Sequence, residues 1–114
     1  MTSGVPIGLV MLKKLEEGVG YIYYIAVAKA HRRMGIARLL IEDSLQRFRE
    51  ERVEEVYAGV ETDNVPSEGL FMSEGFTQTN FGEVSKRFGT IRAINMYRMM
   101  VIVPGEGLMW KKIA

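Results

Sequence analysis

The stretch "IAVAKAHRRMGIARLL", residues 25 to 40, joins the end of an apolar run to the start of an amphipathic segment. The run that it completes, "VGYIYYIAVA" (19–28), is rich in β-branched and aromatic residues and apolar on both faces, which is typical of a central strand. From Gly35 to about Arg52 apolar residues recur at helical spacing with charged residues between them. The stretch therefore predicts a strand, a short basic loop and the main helix.

The flanking segments extend this unit in both directions. The apolar run "IGLVMLKKL" (7–15) is separated from the central run by "EEG", which predicts an antiparallel hairpin. Strand character returns in "EEVYAGVET" (54–62), so residues 19–62 form a β-α-β unit, whose two strands are expected to be parallel with a right-handed crossover. The chain therefore predicts a sheet packed by helices.

The second half of the chain carries weaker signals. Asn64 or Asp63 can cap a short helix over about 65–74, which Gly75 ends. The runs "YRMMVIV" (97–103) and "LMWKKI" (108–113) flank "PGEG" and predict a second hairpin, whereas residues 77–92 fit either a strand or an irregular loop with a helical turn.

Composition excludes several classes of protein. A chain of 114 residues, 47% hydrophobic and 25% charged, predicts one folded domain over residues 1–114. The chain has no cysteine and a single histidine, which excludes disulfides, a cysteine nucleophile and a histidine-rich metal site. A net charge of +1 gives no reason to expect nucleic-acid binding, and no run of sequence approaches the ~20 apolar residues that a membrane span needs. We therefore expect a cytoplasmic protein with no nucleic-acid or membrane partner and no metal.

The basic loop has the properties of an anion site. The first amides of a helix lack backbone partners and carry a partial positive charge, and Gly35 and Ala37 allow an anion to approach the backbone. Arg32 and Arg33 add forked donors, although a basic pair is also common on solvated surface. A P-loop does not fit because no Gly-Lys-Ser/Thr follows, and a dinucleotide fingerprint does not fit because the third glycine, near Arg38, is missing.

Two motifs in this order resemble the GCN5-related N-acetyltransferases, or GNAT proteins. The family's pyrophosphate loop reads Arg/Gln-x-x-Gly-x-Gly/Ala, which "RRMGIA" matches through Arg32, Gly35 and Ala37. Its second pattern, Asn-x-x-Ala-x-x-Leu-Tyr followed by Gly-Phe, is similar to "NVPSEGLFMSEGF" (64–76). In that segment Asn64, Leu70, Gly75 and Phe76 match, while Ser67 stands for Ala and Phe71 for Tyr.

The resemblance implies an α/β fold, a central mixed β-sheet flanked by helices, that binds acetyl-coenzyme A and transfers acetyl to an amine on a small molecule or a protein. The pantetheine arm would lie beside the splayed central strand much as an added strand does, and the pyrophosphate on the amides of the loop. The residues implied as cofactor-binding are Ile25, Ala26, Val27, Arg32, Arg33, Met34, Gly35, Ile36, Ala37, Arg38, Asn64 and Phe71.

Catalysis, on this resemblance, would use the backbone N–H of Val27 to polarise the thioester carbonyl, with Tyr24 orienting the amine and Glu61 as the nearest candidate base. Phe71 stands where the family commonly has a tyrosine that protonates the departing thiolate. Either a water or a neighbouring tyrosine replaces it, or catalysis is slow, or the chain is a coenzyme A-binding module without turnover.

The resemblance also bears on assembly, because the family normally begins with a strand and two helices, whereas this chain is expected to start at the hairpin that follows them. An uncovered sheet edge can pair with a second copy, so we expect a homodimer. The apolar tail "MMVIVPGEGLMW" (99–110) offers an interface, or else forms a core hairpin.

Overall fold

A computed structural model describes residues 8–27, 35–61, 65–100 and 106–114. Its first two strands, β1 (Gly8–Glu16) and β2 (Val19–Val27), form an antiparallel hairpin, as the sequence predicts. The two-residue turn between them needs a left-handed backbone, and Gly18 supplies it with φ of +80°.

The β-α-β unit is also confirmed. Helix α1 (Ile36–Glu50) leads to strand β3 (Glu55–Glu61), which pairs with β2 in parallel. The helix ends in a Schellman motif, in which the Val53 N–H donates to the Phe48 carbonyl at 2.9 Å and Arg52 takes φ of +63°. This end turns the chain back so that Val53 enters the core at 1% exposure.

The second half differs from the predicted hairpin. It contains α2 (Val65–Ser73), β4 (Thr77–Thr79), α3 (Phe81–Phe88), α4 (Thr90–Met100) and β5 (Glu106–Lys112). The strand predicted over 97–103 is wrong for residues 97–100, which form the last turn of α4, and residues 101–103 lie outside the described ranges. The helix prevails because Ala93, Met96 and Met100 recur at helical spacing and are all buried. The segment 77–92 holds a strand and more helix than a single turn.

The five strands form one mixed sheet in the order β1-β2-β3-β5-β4. Strand β2 lies inside the sheet, as predicted, and β5 pairs antiparallel with both β3 and β4. The two outer strands differ greatly in length, since β1 has nine residues and β4 three. The α/β class with a mixed sheet flanked by helices is confirmed.

Each face of the sheet carries its own core. On one face α1 and α2 pack over the sheet through Ile22, Ile41, Leu45, Phe48, Val53, Val56, Ala58, Phe71, Phe76 and Met109. On the other face α3 and α4 pack through Leu15, Val19, Tyr21, Tyr57, Val84, Ala93, Met96, Met100 and Leu108. Met100, Leu108 and Met109 thus belong to this chain's own cores, which favours the core alternative for the described part of the apolar tail. In the described ranges no helix combines the length and apolar character needed to cross a bilayer.

Polar contacts fasten the α3–α4 pair to the sheet. The Arg87 guanidinium pairs with Glu55, donates to the Tyr57 hydroxyl at 3.2 Å and lies 4.2 Å from the centre of the Trp110 ring. At the far end of α4 the Tyr21 hydroxyl donates to the Met100 carbonyl at 3.2 Å. These contacts satisfy the polar groups that the helices would otherwise bury against the sheet.

Candidate functional site

The sheet opens between β2 and β3. The two strands pair only from Val19↔Glu55 to Ile22↔Ala58, although β2 continues to Val27 and β3 to Glu61. Their outer partners remain paired to the end, because β1 follows β2 as far as Val27 and β5 follows β3 as far as Glu61. Along the described part of β2, residues 23–27 therefore present one backbone edge to an opening instead of to a strand.

A β-bulge accompanies the opening. Met11 pairs with Tyr24 and the next residue of β1, Leu12, pairs with Ile22, so Tyr23 is an extra residue on β2. A bulge bends its strand and increases the local twist, which explains why β2 leaves β3 just after Ile22. The packing of two isoleucines agrees with the bulge. Ile22 and Ile25 pack on the same face of the sheet, although a regular strand would place them on opposite faces.

Helix α1 begins beyond the open end of β2. Gly35 precedes the helix with φ of +75° and ψ of 9°, and it offers no side chain to cap the helix. The first backbone bond that closes the helix runs from the Leu39 N–H to the Gly35 carbonyl at 3.1 Å. The amides of residues 36–38 consequently have no partner within the helix and form its positive end.

Among the residues that the structure describes, none fills the space beside Gly35. A Cβ atom built on Gly35 would meet nothing within 4 Å, so packing in the described chain does not require the glycine there. The left-handed backbone and the free approach to the amides both suit a phosphate group, which needs close contact with main-chain N–H groups.

The side chain of Arg38 is occupied elsewhere. Its guanidinium donates from Nη1 to Glu74 Oε1 at 3.3 Å and from Nη2 to Ser73 Oγ at 3.1 Å. Burial and a hydrogen bond with the Glu42 carboxyl raise the pKa of Glu74, while Arg38 and Lys111 act in the opposite direction. This cluster ties the first turn of α1 to the end of α2.

The second motif of the sequence builds the end of α2. The Phe76 N–H donates to the Phe71 carbonyl at 3.0 Å around Gly75, whose φ is +91°, so the helix ends at the predicted glycine. Phe71 is 2% exposed, and its ring meets that of Phe76 edge to face with centroids 5.1 Å apart. Gly75 and Phe76 thus have structural roles, and a direct cofactor contact by Phe71 stays a prediction.

The structure brings part of the predicted site together. The backbones of Ile25, Ala26 and Val27 lie on the open half of β2, paired on their other edge with β1. Ile36 and Ala37 form the half-buried first turn of α1.

Two of the predicted catalytic residues lie on neighbouring strands. The backbone of Tyr24 lies opposite Met11, and that of Glu61 ends β3 opposite Glu106. Four predicted residues lie outside the described ranges: Arg32, Arg33, Met34 and Asn64.

Two features were not predicted from the sequence: the bulge at Tyr23, and the contact of Arg38 with Glu74. The second joins residues 36 positions apart, for which the sequence offers no local signal.

Comparison with solved structures finds the same fold in several proteins. Ard1 from Thermoplasma volcanium is 21% identical with a TM-score of 0.73, and the match covers 98% of this chain and 66% of that one. The ribosomal-protein-S18-alanine N-acetyltransferase from Escherichia coli is 15% identical with a TM-score of 0.71, covering 100% and 66%. A GNAT acetyltransferase from Elizabethkingia anophelis, solved with acetyl-CoA bound, is 17% identical with a TM-score of 0.74, covering 99% and 72%. The chain thus spans about two thirds of the length of these proteins.

Sequence comparison assigns the family. A search among curated proteins finds no match. The family model described as acetyltransferase (GNAT) matches residues 1–76, the part of the chain that holds the hairpin, the opening, the start of α1 and both motifs. The agreement of this match with the open sheet and the uncapped helix start means that the chain belongs to the GNAT acetyltransferase family.

Proposed function

We propose that the chain is an acetyl-CoA-dependent N-acetyltransferase in which a primary amine attacks the thioester directly in a ternary complex. The observation that carries this proposal is the opening between β2 and β3, with the uncapped amides of α1 beyond its end. Family membership and the acetyl-CoA bound to the Elizabethkingia anophelis protein support it.

The residues present fit the cofactor. The free backbone edge of residues 25–27 suits the amide groups of a pantetheine arm, which would lie along β2 much as an added strand does. The positive end of α1 suits the pyrophosphate, with Gly35 and Ala37 at the closest approach. Arg32, Arg33 and Met34, which lie outside the described residues, would contribute to the same loop. Asn64 would add a polar contact to the arm.

The proposed chemistry needs little beyond orientation and proton handling. Acetyl-CoA supplies an activated acetyl group, whose carbonyl carbon gains a bond to the amine nitrogen as its bond to sulfur breaks. The backbone N–H of Val27 would stabilise the negative charge that develops on the carbonyl oxygen. Tyr24 would orient the amine, and Glu61 would accept the proton that the nitrogen releases.

Protonation of the departing thiolate separates this proposal from a second one. Phe71 has no hydroxyl and its ring is buried, so another donor must act, or the chain binds coenzyme A as a regulatory module without turnover. An assay of thiol release with acetyl-CoA decides between the two. The acceptors are a peptide with an N-terminal alanine, a lysine peptide and a small primary amine, and binding without release for all acceptors would favour the module.

The loop assignment has its own test, the affinity for coenzyme A of Gly35→Ala. A Cβ would project into the space proposed for a phosphate oxygen, and we expect at least tenfold weaker binding by calorimetry, about 1.4 kcal/mol. Gly89→Ala is the matched control, because Gly89 also has a positive φ, +88°, with open space around it, but lies between α3 and α4. Equal affinities for both variants would remove the loop from the site.

We also propose a homodimer, formed at the exposed edge of β1. In the described sheet β1 pairs with β2 alone, and Met11 on this edge strand is 41% exposed. Light scattering combined with size-exclusion chromatography measures the mass, and a monomer at micromolar concentration would contradict the proposal. A cytoplasmic location remains a prediction from the sequence.

A further inference from the structure

The guanidinium of Arg38 spans the gap between two helices. Arg38 is the third residue of α1, and the groups that it contacts, Ser73 Oγ and Glu74 Oε1, belong to the end of α2. The Glu74 side chain is 11% exposed, against 47% for that of Arg38. We call these three residues the Arg38 clamp.

The α2 side of the clamp is fixed to the rest of the protein. Ser73 Oγ donates to the Leu70 carbonyl at 2.7 Å, and the Lys111 ammonium of β5 donates to the Glu74 carbonyl at 2.6 Å. The turn that follows leads to Phe76 in the core. Arg38 is therefore held by a part of the molecule that is itself attached to the sheet.

The first turn of α1 is only half-buried, through Ile36 and Ala37. Gly35 cannot cap it, Leu39 is 62% exposed, and Ile41 is the first fully buried residue of the helix. Within the residues that the structure describes, the two hydrogen bonds of the Arg38 clamp are the side-chain hydrogen bonds that connect this turn to another element. Helix ends that lack caps fray readily.

We propose that Arg38 is a positioning residue: its guanidinium holds the amides of residues 36–38 in place from α2 and does not itself contact the cofactor. The inference rests on the proposed binding of a pyrophosphate at the start of α1. The family resemblance implies Arg38 as a cofactor-binding residue, and on this proposal its backbone amide serves the anion site while its side chain holds the turn in place.

The two roles predict opposite effects of removing Glu74. If Arg38 contacted the phosphate directly, Glu74→Ala would release its guanidinium and strengthen the binding of coenzyme A, because a competing carboxylate is gone. If Arg38 positions the helix turn, Glu74→Ala weakens binding in the same direction as Arg38→Ala.

The experiment is a double-mutant cycle with the affinity for coenzyme A as its readout. We expect Arg38→Ala to weaken binding about fivefold, and Glu74→Ala to weaken it less because the bond from Arg38 to Ser73 remains. The double variant should lose about as much as Arg38→Ala alone, because both changes act on the same clamp. Glu74→Gln keeps an acceptor oxygen and should recover part of the loss. Arg47→Ala is the matched control, since it breaks the Arg47–Asp43 pair within α1, away from the first turn, and should leave affinity within about twofold.

Hydrogen exchange of the protein without coenzyme A provides a second readout. The amides of Leu39 and Leu40, which close the first turn, should exchange several-fold faster in both clamp variants and at the unchanged rate in Arg47→Ala. This measurement tests the clamp even if the wild-type chain binds no coenzyme A, an outcome that would remove the proposed function alone. Unchanged exchange, or tighter binding by Glu74→Ala, would overturn the positioning role.

Discussion

The two halves of β2 have the same neighbour on one side and different surroundings on the other. Residues 19–22 pair with β1 and β3 at once, and Val19, Tyr21 and Ile22 are each 2% exposed. Residues 24–27 pair with β1, and this half of the strand, with the bulged Tyr23 at its start, faces an opening on the β3 side. One strand therefore combines a closed half that stabilises the fold with an open half whose backbone is available to a ligand, and the first fixes the position of the second.

Helix α1 repeats this division. Near its C-terminal end Phe48 packs so tightly on the closed half of β2 that a Cβ at Gly20 would come within 2.6 Å of its ring. At its N-terminal end the helix is open and uncapped. Burial is thus concentrated at one end of the β-α unit and accessible backbone at the other.

The largest expected effect compares two isoleucines on the same strand and the same face. Ile22 in the closed half is fully buried, and Ile25 in the open half is half-buried against the same cluster. We expect Ile22→Ala to lower the free energy of unfolding by about 4 kcal/mol and Ile25→Ala by about half as much. Urea denaturation of the two variants measures both, and equal losses would show that the two halves do not differ in packing.

A smaller effect is expected from adding a methyl group to the closed half. Gly20→Ala forces the buried Phe48 ring to move, which should cost about 2–3 kcal/mol. Gly69→Ala serves as the control, because its Cβ would meet nothing within 4 Å and alanine should favour α2 by about 0.5–1 kcal/mol. A neutral Gly20→Ala would mean that the ring has room to adjust.

The smallest effect concerns Tyr57, whose hydroxyl accepts a hydrogen bond from Arg87 beneath α3. Tyr57→Phe removes this bond and should cost about 1 kcal/mol at neutral pH. Burial, with a lesser contribution from Tyr97 and Glu16, raises the pKa of Tyr57 above its ordinary value of 10.0. The unfolded chain therefore loses this proton first, so the stabilising contribution is complete below pH 10 and declines as the pH rises above it.

Urea denaturation at neutral pH and at several values above pH 10 checks this expectation. Stability should fall more steeply with pH in the wild-type protein than in Tyr57→Phe. Parallel curves for the two proteins would contradict the buried, protonated state of Tyr57.

The two faces of the sheet differ in how far they follow from the sequence. The hairpin, α1 and β3 follow from local periodicity, and the Gly75 end of α2 follows from one residue with special backbone freedom. On the other face, α4 was missed because "YRMMVIV" is apolar and β-branched at its end, which hides the helical spacing of Ala93, Met96 and Met100. Propensity and periodicity disagree there, and packing against the sheet decides in favour of the helix.

The candidate site also combines features that follow from local sequence with features that do not. Gly35 and Ala37 indicate the proposed anion loop because a helix start with small residues is a local pattern. The opening between β2 and β3 depends on strand register, and the Arg38 clamp depends on the approach of two helices. Both are properties of tertiary contacts, which a pattern of neighbouring residues does not show. The splayed strand was expected from the family resemblance alone, and the contact of Arg38 with Glu74 was not expected.

The unequal outer strands limit how copies of this chain can associate. A sheet with two long exposed edges can add strands at both ends and grow into an open fibre, whereas β4, with three residues, offers too few backbone groups for that. Only β1 is long enough for strand addition in the described sheet. Two copies joined there by a two-fold axis would use up the extendable edge of each, so assembly would stop at a closed pair.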